Sequence, residues 1–233
     1  RKSSKRKKIL RSFGRVGMCL NDKTKSCISK DDLDKVCFIL INDYKKEKKD
    51  LSSGPLNDGY LIALTHHRLG FKIFYLYNSL RNKFTTFLEF FLKNTITSLT
   101  VYYTGLDNNG EGIEFTDSFL SKNSLSEIIS TNSKGTERVV FINDTSCNGS
   151  IFDVRNGSKN MLSFSTRPKN SNENVDDRLQ GIFTFYLCKS IGEISNITPE
   201  ALVEEMGKTI ERFDVIFICE VASREISKSP IFS

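Results

Sequence analysis

The sequence has only two histidines, His66 and His67, and they are neighbours. Adjacent helical positions do not face one another, so the two cannot share a metal ion. None of the six cysteines (19, 27, 37, 147, 188 and 219) belongs to a Cys-x-x-Cys pair, which argues against a zinc module. Cys37 and Cys219 sit inside apolar runs, where the residue behaves as a small hydrophobe. This usage fits a reduced compartment, cytoplasm or nucleus, and not a disulfide scaffold. No apolar run is long enough to span a bilayer, and no internal repeat is present. The chain starts with Arg and not Met, which points to a trimmed or matured fragment. No apolar stretch follows its basic start, so no secretory leader is expected.

Acid is absent from the first eleven residues, RKSSKRKKILR, which carry seven Lys or Arg. The formal net charge is +6, so the remainder of the chain sums to about −1. That near-neutral body offers no nucleic-acid footprint. The arm reads as a solvated, disordered segment, and the alternative is a nuclear-targeting or polyanion-binding tail. With 233 residues and 38% hydrophobic content the chain supports one sizeable core. Residues 1–32 are therefore read as a basic arm and lead-in, and 33–233 as a single domain.

Short apolar runs alternate with helical patterns, the signature of a βα sheet. The strand candidates are 36–41, 71–76, 99–103, 139–142, 161–164 and 215–218. Their near-continuous apolar character predicts burial on both faces. Leu56 to Leu69 predicts a helix with Leu56, Tyr60, Ala63, Leu64 and His67 on one face, ended by Gly70. Phe84, Phe87, Leu88 and Phe91 mark a second helix, and Ser124 with Glu127 form a capping box for a third. Leu179, Ile182, Phe183, Tyr186 and Leu187 mark a fourth; Thr198 caps a fifth with Pro199 in its first turn and Leu202, Met206 and Ile210 inward. The charged segment 45–54 and the polar segment 168–177 read as loops.

In a parallel α/β sheet, ligands and catalytic groups gather beyond the carboxyl ends of the strands. Two strand ends stand out. One is Tyr102-Tyr-Thr-Gly-Leu-Asp107, where Gly105 suggests close backbone approach or a special dihedral. The other is INDTSCNGS at 142–150, where Asp144 precedes a small-residue turn holding Ser146 and Cys147. The plainer alternative makes each a simple strand-to-loop turn.

Taken together, these motifs resemble those of the metacaspases, within the caspase-like cysteine peptidase fold. In that family a strand ending Y-S-G-H-G supplies the general-base His, and the next, ending D-S-C-H-S-G, supplies the nucleophilic Cys. Tyr103-Thr-Gly-Leu-Asp107 is similar to the first motif and Asp144-Thr-Ser-Cys-Asn-Gly-Ser150 to the second. Leu162-Ser-Phe-Ser165 resembles the I-S-F-S strand that follows, and Gly181-Ile-Phe-Thr-Phe the helix that reads G-A-F-T. The resemblance covers roughly residues 33 to 233. It implies a three-layer α/β sandwich with a mainly parallel six-stranded sheet of order 2-1-3-4-5-6, the last strand antiparallel. It also implies one intact chain, because the segment between Gly149 and Met161 is short, and a monomer.

Set against that pattern, Leu106 occupies the catalytic His position and Ser146 the catalytic Cys position, with Cys147 on the neighbouring one. Ser121-Lys-Asn-Ser124 replaces an acidic pair, so the calcium activation site of the family is read as lost and no cofactor or metal is expected. Asp144 matches the family Asp that lines the pocket for a Lys or Arg side chain, beside Gly105. A serine needs an adjacent base to attack at neutral pH, and Leu106 cannot be one. A shift of the nucleophile to Cys147 still lacks a base, and Asp144 would raise the thiol's pKa. His66 and His67 end a helix at the opposite edge of the sheet, where a His is ordinarily solvated or half-packed. The expectation is a catalytically inactive metacaspase-like protein that acts by binding, as regulator, decoy or scaffold, with a Lys- or Arg-bearing protein or peptide as partner. The alternatives are a weak endopeptidase cleaving after Lys or Arg through Cys147 or Ser146, and a domain tethered to polyanions by its basic arm.

Overall fold

The computed structural model describes residues 2–44, 51–108, 110–133, 135–145, 149–155, 157–168, 181–194, 196–213 and 215–232. In chain order its longer elements begin with α1 (Lys2–Phe13), β1 (Gly17–Cys19), β2 (Lys35–Ile41), α2 (Gly54–Arg68), β3 (Lys72–Tyr77), α3 (Arg81–Asn94) and β4 (Ser98–Gly105). A small antiparallel pair follows, β5 (Gly112–Glu114) and β6 (Phe119–Ser121), then α4 (Lys122–Asn132) and β7 (Arg138–Thr145). The chain closes with β8 (Met161–Pro168), α5 (Ile182–Glu193), α6 (Pro199–Ile210) and β9 (Val215–Val221).

The six apolar runs become β2, β3, β4, β7, β8 and β9, adjacent in the order β3-β2-β4-β7-β8-β9, with β9 antiparallel to β8. The sheet nevertheless has seven strands, because β1 adds a parallel edge strand beside β3. Three residues beginning with Gly17 leave no periodicity to read. Period-two alternation then divides the core. Cys37, Ile39 and Ile41 face a cluster filled from α2, α5 and α6, while Val36, Phe38 and Leu40 face α3 and α4. The result is a three-layer sandwich.

Residues 2–13 are not a solvated arm. They form a helix whose stripe of Arg6, Ile9, Leu10 and Phe13 turns inward at helical spacing. Phe13 is fully buried, its ring centroid 4.1 Å from that of Tyr75. Burying such a side chain contributes about 1.5–3 kcal/mol. Arg6 is 4% exposed and donates from Nε to Asp43 Oδ2 at 2.8 Å. The lead-in therefore shares the core of the domain.

The inward face of α2 also differs from the expectation. Leu56, Gly59, Ile62, Ala63 and His66 are buried, whereas His67 is exposed. His66 donates from Nδ1 to Ile62 O (3.0 Å) and lies edge-on to Phe71 and Phe232, both at 5.1 Å between centroids. Phe232 closes over it because the C-terminal segment folds back, with Ile231 N donating to Ile197 O. The cap of α4 lies one turn earlier than Ser124: Ser121 Oγ accepts from Ser124 N at 3.1 Å. Thr198 caps the sixth helix as read, accepting from Ala201 N. Of the expected loops, 45–50 and 169–177 lie outside the described residues, as does Leu179, while Pro168 ends β8 and α2 already begins at Gly54.

Candidate binding site at the carboxyl ends of the central strands

Strands β4 and β7 are parallel neighbours, with Tyr103 opposite Asn143, Thr104 opposite Asp144 and Gly105 opposite Thr145. The two singled-out strand ends therefore lie side by side at the carboxyl edge. Gly105 permits that packing: a Cβ there would fall 2.6 Å from Tyr103 Oη and 3.1 Å from Asn42 Cβ. Leu106, half-buried, comes next. Its N–H donates to Tyr44 Oη (3.2 Å) and its carbonyl accepts from Tyr103 Oη (2.5 Å), so its backbone is held on both sides. Ser146 and Cys147 lie outside the described residues.

Alternation along β7 sends successive side chains to opposite layers. Asp144 points toward α2 and α5 and is 1% exposed. It accepts from the Thr184 hydroxyl, from Tyr102 Oη at 3.2 Å and from the backbone N–H of Gly181. The Tyr102 and Thr184 hydroxyls are themselves 2.8 Å apart. Asp58, from the second turn of α2, reaches the same place and is 7% exposed. A Cβ on Gly181 would stand 3.3 Å from Asp58 Oδ1, and the φ of +93° at Gly181 is one that side-chain-bearing residues rarely adopt. Glycine at the head of α5 thus admits the second carboxyl.

Asp58 and Asp144 form an acid pair without a cation. Asp58 Oδ2 has no hydrogen-bond donor, and no described Lys or Arg pairs with either carboxyl. Burial pushes both carboxyls above the usual carboxylate range, and for Asp58 the charge of Asp144 adds to the shift. The bonds from Thr184 and Tyr102 act the other way on Asp144. Two like charges that interact this strongly cannot both ionise freely, so the pair holds a proton near neutral pH.

On the opposite layer Thr145 donates to Asp107 Oδ2 at 2.5 Å, and Asn143 Nδ2 bonds Thr145 Oγ1 at 3.2 Å and Gly149 O at 3.1 Å. No described imidazole reaches either layer of this edge. His66 stands eight residues beyond Asp58 on α2, about 12 Å along the axis. Nor is a described thiolate available, since burial pushes the Cys188 thiol up to about 12. Among the described residues no group of three or more His, Cys, Asp or Glu is placed to hold a metal ion, and no helix is long and apolar enough to cross a membrane.

Asp58 and Thr184 were not among the residues singled out from the sequence. For Asp58 a signal existed: positions 58, 62 and 66 share one helix face, so a carboxylate opens a stripe that is otherwise buried. Thr184 lies in the stretch Gly181-Ile-Phe-Thr-Phe, but only the third dimension brings it to Asp144.

The arrangement of sheet, helices and strand-end loops defines a caspase-like fold. Among solved structures, the Drosophila initiator caspase Dronc superposes with a TM-score of 0.61 at 15% sequence identity, covering 85% of this chain and 82% of that one. At that identity the likeness establishes the fold alone. No family profile and no curated protein matches the sequence.

Proposed function

We propose that the protein is a catalytically inactive, metacaspase-like binding protein. It acts as regulator, decoy or scaffold, as a monomer in the cytoplasm or nucleus. Its acid pair receives a lysine or arginine side chain of a partner without cutting the partner. The observation that carries this reading is the pair itself: two buried carboxyls, one oxygen lacking a donor, at the strand edge where Gly105 and Leu106 lie. A buried carboxylate is costly unless paired, so a cationic guest is the chemistry that completes the site. The inactive part of the reading rests on Leu106, which cannot take a proton, and on the position of His66 and His67 on α2. Loss of nucleophile and base together reduces turnover by about 10⁶ where this has been dissected.

The test is titration of Arg- and Lys-terminated fluorescent peptides into the intact chain, with binding and hydrolysis read together. Saturable binding without hydrolysis is expected, with or without calcium. A charge-assisted hydrogen bond contributes about 1.5–3 kcal/mol, so Asp144→Asn should weaken binding by roughly 10-fold or more. Hydrolysis that disappears in Ser146→Ala or Cys147→Ala would establish the weak endopeptidase instead. No binding by any basic peptide would reduce the acid pair to a remnant.

A further inference from the structure

The basic segment is fixed to the domain, and that changes what its charges can do. Angular positions on α1 separate cleanly: Arg6, Ile9, Leu10 and Phe13 turn inward, and Ser4, Lys7, Lys8 and Arg11 lie on the arc opposite. Arg15 continues that arc just past the helix, and Lys5 flanks it; all of these side chains are exposed. Arg6 is consumed by Asp43, but Lys5, Lys7, Lys8, Arg11 and Arg15 make no ion pair or hydrogen bond among the described residues. The first acid in the chain is Asp22, and the only acid on α2, the helix on which α1 lies, is the inward-facing Asp58.

Cations at i, i+3 and i, i+4 on one helix repel each other. Lys5–Lys8, Lys8–Arg11 and Lys7–Arg11 stand at those spacings with no counter-charge paired to them among the described residues. Nothing in the folding of α1 requires them, because the inward stripe alone docks the helix. We propose that this ridge is a docking surface for the phosphodiester backbone of double-stranded DNA, bound without regard to sequence.

Shape favours a duplex over a lipid surface. The cations crown a convex helix, about 10–12 Å across with its side chains, which matches a major groove about 12 Å wide with phosphates on either side. A flat membrane would meet only the crest of the ridge. Interfacial helices also insert an apolar face, and here Ile9, Leu10 and Phe13 are turned into the protein. Lys and Arg bond phosphate oxygens whatever base lies behind them, and such contacts fix position without reading sequence.

The test is fluorescence anisotropy of a short labelled duplex with the full chain across a range of salt. Binding that weakens with salt is expected, with a log–log slope of about −3 from three neutralised phosphates. Lys8→Gln should reduce the slope by about one, and the triple variant Lys7→Gln, Lys8→Gln, Arg11→Gln should abolish binding. Because these side chains are exposed and unbonded, the triple variant should keep its thermal midpoint. Lys93→Gln, on α3 in the opposite layer, should leave affinity unchanged. Undiminished binding in the triple variant would overturn the proposal. So would failure to bind the duplex, including the case in which the chain instead binds phosphatidylserine vesicles through the same three residues.

Discussion

Asp144 has three hydrogen-bond donors and one acid for a neighbour, and those two facts predict how its site titrates. Both carboxyls of the Asp58–Asp144 pair are raised by burial, so near neutral pH the empty pair retains a proton. A lysine or arginine guest favours the fully ionised pair and expels that proton. Affinity for a basic peptide should therefore increase as pH rises from the ordinary carboxylate range through neutrality, which titrations at several pH values would read directly. Asp58→Asn should flatten the dependence and leave the thermal midpoint unchanged or higher at pH 8, since it removes a like-charge neighbour. Leu106 offers the complementary test. Leu106→His together with Ser146→Cys should recover at most a trace of peptidase activity, because a site needs the groups that support it as well as its reacting atoms. Rates near those of a working peptidase would show that the supporting shell is intact.

At the scale of elements, two helices each bury one basic side chain in the core, charged on α1 and neutral on α2. Arg6 of α1 donates to Asp43, which also accepts from Tyr77 Oη and Asn78 Nδ2, both at 2.8 Å. Removing one partner of a buried pair costs about 3–5 kcal/mol, and those remaining donors place Arg6→Ala toward the low end. A chemical denaturation midpoint well below wild type is expected; an unchanged midpoint would mean that α1 contributes nothing to the fold. On α2, burial holds His66 down at about 4 from its ordinary 6.5. The unfolded chain takes up a proton below pH 6.5 while the folded one stays neutral, so stability is full above that pH and falls as pH drops toward 4. The loss is on the order of 3 kcal/mol. His66→Phe, packed between Phe71 and Phe232, should flatten the stability curve between pH 4 and pH 7, measured by urea unfolding at each pH.

At the scale of the whole molecule, the alternation of apolar runs with helical patterns marks a layered βα sheet, and the order of its strands is the one the family resemblance implies. The six runs from 36–41 to 215–218 are near-continuously apolar, interrupted only by Lys72, Thr100 and Ser163, and strands covered on both faces by intervening helices form a parallel sheet. What escaped were short elements and rotated ones. The strand at Gly17–Cys19 is too brief to show alternation, and β5 with β6 is a local pairing of three residues each. The seven cations of the first eleven residues masked the four-residue stripe that docks α1. The inward face of α2 was misjudged because Tyr60, Leu64 and His67 are as apolar or as bulky as the residues that do turn in. On the inactive reading proposed above, the chain should also leave itself intact. Arg155 is exposed on a loop and Lys169 falls in a polar stretch of the sequence, yet purified protein should show no time-dependent fragments on a gel; fragments abolished by Ser146→Ala or Cys147→Ala would contradict the inactive reading.

The sequence alone determined that Gly105 and Asp144 end strands of one sheet, that Leu106 cannot act as a base, and that no histidine exists outside α2. Those are statements about residue type and order, which chemistry and periodicity settle without coordinates. Only the tertiary structure decided that Asp58 meets Asp144 beneath Gly181, that Thr184 and Tyr102 supply its donors, and that Arg6 is held by Asp43. These contacts span 34 residues or more of chain. Two polar side chains so far apart carry no shared pattern along the sequence; they meet because the sheet fixes the register of β4 and β7 and the apolar stripes of α1, α2 and α5 fix where each helix begins.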